Sequence, residues 1–167
     1  MRVIVVSDTH MPKKAKELPK RLLEELHTAD LIVHAGDWQS THIYKQLSSY
    51  TRIMGVYGNV DDHEVREMVP RRIVTEWEGY KIGIVHGHGD KKTTETRVIE
   101  EFEGEELDLV IFGHSHLPLL KFVKKTMLFN PGSATDKRRL PYYSFGVITI
   151  DDHGLRADHI FYNHKET

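Results

Sequence analysis

The chain has 167 residues, 39% of them hydrophobic and 29% charged, with a formal net charge of -2. That size and mixture fit one domain, residues 1–167, with a sizeable core, and exclude a disordered or membrane-spanning chain. The charge offers no global attraction to nucleic acid or anionic membrane, and the absence of cysteine removes disulfides, thiolate metal sites and cysteine nucleophiles together.

Short apolar runs rich in Val and Ile punctuate the first two thirds, at residues 3–6, 31–33, 53–57, 82–85 and 109–112. Their length predicts strands buried on both faces. Between the first two lies LPKRLLEELHTAD, where Leu18, Leu22, Leu23 and Leu26 recur at helical spacing with Pro19 near the start, so the opening reads as a βαβ unit. Helices around 40–48 and 93–103 continue the alternation, and VTEWEGYKIGIV predicts a hairpin turning at Glu78-Gly79. This pattern places helices and strands over both faces of one sheet. In the last third, LLKFVKKTMLFNPGS reads as a second hairpin, and residues 142–150 and 155–162, joined by DDHG, as antiparallel strands of a second sheet. The expected architecture is an α/β sandwich of two sheets with helices outside.

Each apolar run ends in polar residues of similar kinds: SDTH, HAGDW, GNVDD, HGHGD and GHSH. Carboxyl ends of parallel strands share one edge of an α/β sheet, where ligands bind, so clusters distant in sequence are expected in one crevice. Alternation along extended backbone pairs Asp8 with His10, Asn59 with Asp61, His86 with His88, and His114 with His116. One such cluster alone is commonly a turn. All of them on one edge would bury unpaired polar groups unless a cation organised them. Imidazole, carboxylate and amide oxygen suit Mn, Fe, Zn, Co or Ni better than Ca or Mg. The candidate ligands outnumber one tetrahedral shell, so two divalent ions are expected rather than one.

These residues resemble the calcineurin-like metallophosphoesterases, and within them a small bacterial and archaeal phosphodiesterase branch. The resemblance rests on Asp8-Thr-His10, Gly36-Asp37, Gly58-Asn59, His86 and Gly113-His114-Ser-His116, in the family's order across residues 8–116. It implies a four-layer sandwich of two β-sheets flanked by helices, with a βαβαβ core and a dinuclear centre. One ion would sit on Asp8, His10 and His116, the other on Asn59, His86 and His114, with Asp37 bridging them. NPGS at Asn130 to Ser133 resembles a loop of this branch and reads equally well as a Pro-Gly turn. Two positions depart from the family. Val60 stands where a histidine usually protonates the leaving group, and Ser40 ends GDWQS where Asp is common. The metal ligands survive both changes, whereas the general acid does not.

The implied activity is hydrolysis of a phosphodiester by a hydroxide bridging two transition-metal ions, manganese first among them. Two divalent ions against Asp8 and Asp37 leave the site at about +2, which suits a small anionic phosphoester. Candidates to replace the general acid are His88, Asp61 and water. Lys91, Lys92, Arg138 and Arg139 would either touch a substrate's far end or form solvated faces, and His34 carries no assignment. One rival reading is a metal-free interaction scaffold resembling the small subunit of the eukaryotic retromer; others are a phosphomonoesterase and a nuclease. The complete ligand set argues against the scaffold, and the lack of an aromatic, basic stripe disfavours a nucleic-acid partner. The expected setting is cytoplasmic, without membrane contact, and self-association is left open.

Overall fold

In β1 (Arg2–Val6) the side chains alternate between two cores: Val3 and Val5 join one buried cluster, Ile4 and Val6 another. A strand apolar on both sides needs cover on both faces. The computed structural model describes residues 1–165. Strand β1, α1 (Lys20–Leu26), β2 (Leu31–His34), α2 (Thr41–Ser48) and β3 (Ile53–Gly55) form a βαβαβ opening whose three strands are parallel. Leu22 and Leu26 of α1, and Ile43 and Leu47 of α2, lie one helical turn apart and are buried with Ile4, Val6 and Ile32. A short helix absent from the sequence expectation, α3 (His63–Met68), starts at Asp62, whose side chain accepts the Val65 amide. Six residues carry too little periodicity to read as a helix.

The second sheet takes β4 (Arg72–Trp77), β5 (Tyr80–Val85), β6 (Leu109–Ile111), β7 (Leu119–Val123) and β8 (Thr126–Asn130), in the order β4-β5-β6-β8-β7. Its first hairpin turns at Glu78-Gly79, both left-handed at φ 48° and 84°, the type I′ geometry that matches strand twist. Helix α4 (Thr94–Glu101), capped by the Thr93 side chain, covers the outer face by packing Val98 with Val85, Val110, Phe112 and Leu128. Val5, Val33, Ile84, Ile111 and Phe129 fill the space between the sheets. The layers are therefore helix, sheet, sheet, helix, the sandwich the sequence implied.

The distribution of strands corrects the sequence reading. The fourth and fifth apolar runs leave the first sheet for the second, so each sheet carries helices on one face and the other sheet on its opposite face. The long C-terminal strands β9 (Tyr143–Asp151) and β10 (Gly154–Tyr162) extend the first sheet, in the order β10-β9-β1-β2-β3, instead of building the second. Apolar character marks β9 as an interior strand but carries nothing about its partner, here β1 in antiparallel register. Among the described residues no helix is long and apolar enough to cross a membrane. The carboxyl ends of β1 and β6 meet at a seam between the sheets, where Asp8 Oδ2 accepts the His114 amide at 2.9 Å.

Candidate metal centre

The loops leaving the strands turn sharply at the very residues singled out by sequence. Asp8, His10, Asp37, His114 and His116 all have left-handed backbone, with φ between 46° and 67°. This replaces the extended alternation assumed above, and each such residue costs about 1–2 kcal/mol that neighbouring bonds must offset. The Asp8 amide donates to Gly36 O at 2.9 Å, that of His10 to Asp37 O at 3.0 Å, and that of Met11 to Trp38 O at 3.0 Å, tying the β1 loop to the β2 loop. Gly113 is required for closeness alone: a Cβ there would lie 1.9 Å from Ser7 Oγ.

Two groups of side chains result. Asp8, His10 and His116 each offer a ligand atom, all within 4.8 Å of one another, and so do Asp37, His86 and His114. Asn59 joins the second group through Oδ1, 3.1 Å from His114 Nδ1. Asp37 lies between the groups, with Oδ2 3.2 Å from His86 Nε2 and 3.8 Å from His10 Nε2. The outer ring nitrogens fix the tautomers, because a carbonyl only accepts: His86 Nδ1 donates to Ala35 O at 2.7 Å and His116 Nδ1 to Asp136 O at 2.6 Å. Nε2 of His116 is thereby turned inward, 3.2 Å from His10 Nε2 and 3.3 Å from Asp8 Oδ1.

Burial raises the Asp37 carboxyl, yet the His86 imidazole, the Val60 amide and the His10 ring outweigh it and hold the group well below the usual carboxylate range. Burial opposes charge on His86 too, but Asp37 and Asp8 lift it to about 9. Burial, with His86 beside it, lowers His114 to about 4; burial also lowers His10, against the pull of Asp37 and Asp8. Asp8 Oδ1 and His86 Nε2 are buried without an aligned hydrogen-bond partner, a cost of about 1–3 kcal/mol per atom that a divalent cation would remove. The donor set and its orphaned inner atoms fit such ions.

Residues beyond these groups separate by what they touch. Asp61 accepts the amides of Asp37 at 3.1 Å, Gln39 at 2.6 Å and Gly58 at 2.6 Å, so both its oxygens are engaged in clamping the β2 and β3 loops. His88 stands 5.5 Å from the His86 ring with a buried, unpartnered Nδ1, beside a cavity it shares with Arg71 and Arg97. Burial and the charges of His86, Arg71 and Arg66 lower its pKa. His34 is core: it stacks on Trp38 at 3.8 Å, faces Thr9 Oγ1 at 3.0 Å and accepts the Gly36 amide at 3.2 Å.

NPGS and the residues just after it bind the ligand loops, a role that sequence reasoning did not give to Asn130 or Ser133 and a residue, Thr135, that it did not name. Ser133 Oγ donates to Asp8 O at 2.8 Å, Thr135 Oγ1 to Thr9 O at 2.6 Å, and Asn130 Nδ2 to Gly113 O at 2.9 Å. Buried hydroxyls in a Pro-Gly turn were the available signal; their targets are set only by the fold.

The family profile of the calcineurin-like phosphoesterase superfamily domain matches residues 1–153. The chain belongs to this superfamily. A probable metallophosphoesterase of Methanothermobacter thermautotrophicus is 36% identical over 164 residues, covering 95% of this chain and 91% of that protein. A phosphodiesterase of Methanocaldococcus jannaschii is 26% identical, over 90% of this chain and 90% of its own length. Among solved structures, Vps29 of Chaetomium thermophilum superposes with a TM-score of 0.76 at 18% identity, over 98% of both chains. The chain is thus a metallophosphoesterase relative, and it carries two groups of side chains that could hold metal ions.

Proposed function

We propose that this chain is a phosphodiesterase that works with two divalent transition-metal ions. The observation that carries the proposal is the pair of ligand groups joined by Asp37, with the inner atoms of Asp8 and His86 buried and unpartnered. Asp8, His10 and His116 would hold one ion, Asn59, His86 and His114 the other, and Asp37 would touch both. Such ions, when bound, act as Lewis acids and lower the pKa of coordinated water toward neutrality. The chain's own residues prepare that chemistry. Ala35 O and Asp136 O orient the histidines, and Asp61 fixes the Asp37 loop. Neutral His10 and His114 offer lone pairs without competition from protons at pH 7.

Val60, 43% exposed, provides no proton where the family usually has histidine. Asp61 is occupied by amides, and His88, with a lowered pKa, is neutral at pH 7. Water is therefore our choice for protonating the leaving group, and diesters with good leaving groups are the expected substrates. The 26% identical phosphodiesterase of Methanocaldococcus jannaschii supports the same class. The Vps29 neighbours share the fold, but a metal-free scaffold would have no use for carbonyls that aim imidazole lone pairs inward.

The test is chelation followed by restoration with Mn, then Fe, Co, Ni, Zn and Mg separately, using an aryl phosphodiester and the matching monoester. Metal analysis of the same samples should give about two ions per chain, as a two-metal site requires. No metal-dependent turnover together with no bound metal would refute the proposal; monoester turnover alone would replace the diester reading.

A further inference from the structure

Resting on the phosphodiesterase reading above, we infer that Arg138 and Arg139 form an anion subsite beside the metal centre. The preferred substrate is then a small phosphodiester whose second ester arm carries another phosphate. A cavity of about 270 Å³ is lined by His116, Leu117, Lys137, Arg138, Arg139 and Leu140. His116 thus belongs both to a ligand group and to the wall of this cavity.

The cations here are unlike the others. Arg2, Arg21, Arg71, Arg72 and Arg156 each pair with a carboxylate. Arg52, Arg66 and Arg97 donate to backbone carbonyls. Arg138 and Arg139 are exposed, adjacent, and without a side-chain partner among the described residues. The nearby carboxylate, Asp136, is taken by Lys14 at 3.3 Å. Of the cations that sequence offered for a substrate's far end, Lys92 is paired with Glu100 at 2.5 Å, and neither Lys91 nor Lys92 lines this cavity.

The segment that carries the arginines is anchored to the ligand loops. Ser133 holds Asp8 O, Thr135 holds Thr9 O, and Asp136 O receives His116 Nδ1 at 2.6 Å. Arg138 follows Asp136 by two residues, so its Cα lies within about 7 Å of Asp136 Cα by chain geometry, and both arginines share the cavity wall with His116. Guanidinium forks match phosphate oxygens two at a time, and neighbouring forks suit a dianion better than a single carboxylate. Leu117, 52% exposed, and Leu140 supply apolar surface for the carbon skeleton between the phosphates.

The experiment uses the manganese-loaded protein and aryl phosphodiesters whose other arm is an alkyl chain of graded length, ending in phosphate or in hydroxyl. At the best length the phosphate end should lower KM about tenfold relative to hydroxyl, the scale of charge-assisted hydrogen bonds. In R138A/R139A the ratio of kcat/KM between the two arms should fall to about one, as expected when those bonds are lost. No advantage at any length, or an advantage that survives the double variant, overturns the subsite. Calorimetric binding of alkyl bisphosphates of the same lengths needs no turnover and separates the two failures. Binding lost in the double variant of a protein that hydrolyses no diester would retain the subsite and sink the phosphodiesterase reading. Equal binding by both proteins would sink the subsite.

Discussion

Alanine at position 113 should open the seam between the sheets. Its Cβ would sit 1.9 Å from Ser7 Oγ and 2.7 Å from Asp8 Oδ2, and both of those residues are fully buried. Gly113 lies outside the left-handed region, so the effect is one of contact and not of backbone preference. Ser7 can escape by rotating its hydroxyl, which gives up the 2.7 Å bond to Asp8 Oδ2. A bond to a charged group contributes about 1.5–3 kcal/mol. The remaining crowding against the Asp8 carboxylate adds about 1–3 kcal/mol, typical of an overpacked core. Gly113→Ala should therefore destabilise the metal-free protein by about 2.5–6 kcal/mol in urea unfolding. Because Asp8 is displaced, manganese affinity measured by calorimetry should fall in parallel. Ser7→Ala removes the nearer clashing atom, so the double variant should be less destabilised than the sum of the singles by about 1.5–3 kcal/mol. A Gly113→Ala variant within about 1 kcal/mol of wild type, or strict additivity with Ser7→Ala, would refute the contact argument.

His159 is kept below its usual pKa by burial, against its hydrogen bond to Asn130 O at 2.7 Å. Well above pH 6.5 neither folded nor unfolded imidazole is protonated. Below it the unfolded ring gains a proton first, so stability should fall with pH until the folded ring also titrates. His159→Gln should flatten the dependence of the urea midpoint on pH in that window; an unchanged slope would show that the burial of this ring is unimportant. At the first hairpin, Glu78→Asn should raise stability by about 0.5 kcal/mol, because asparagine tolerates φ 48° at a type I′ turn, and a lowered thermal midpoint would count against that turn assignment. Asp62→Ala should cost about 1 kcal/mol through loss of the bond to the Val65 amide, visible as faster hydrogen exchange across α3.

Some features were legible in sequence because they depend on neighbours along the chain. The Val and Ile runs, the leucines of α1 and the Glu78-Gly79 turn follow from local periodicity and backbone preference, and the structure places them accordingly. The recurrence of Asp, His and Asn at the run ends pointed to one crevice before any pairing of strands was known. Helix α3 escaped because one turn and a half of helix leaves almost no pattern. The division of strands between sheets escaped for a different reason: the apolar Phe145, Val147 and Ile148 of β9 mark an interior strand without naming its partner, which its pairing with β1 decides.

The sequence by itself determined which chemistry the chain could hold: nitrogen and oxygen ligands, no thiolates, and glycines where loops approach closely. Tertiary structure decided how those ligands divide. His114 and His116 are separated by one residue, yet left-handed turns send one toward His86 and Asn59 and the other toward His10 and Asp8. It also decided that Asp61 faces backbone amides and that Ser133, Thr135 and Asp136 support the ligand loops. Those roles depend on hydrogen bonds between residues up to 126 positions apart. Spacing along a chain fixes which side chains exist near one another only over a few residues; the meeting of two sheets fixes the rest.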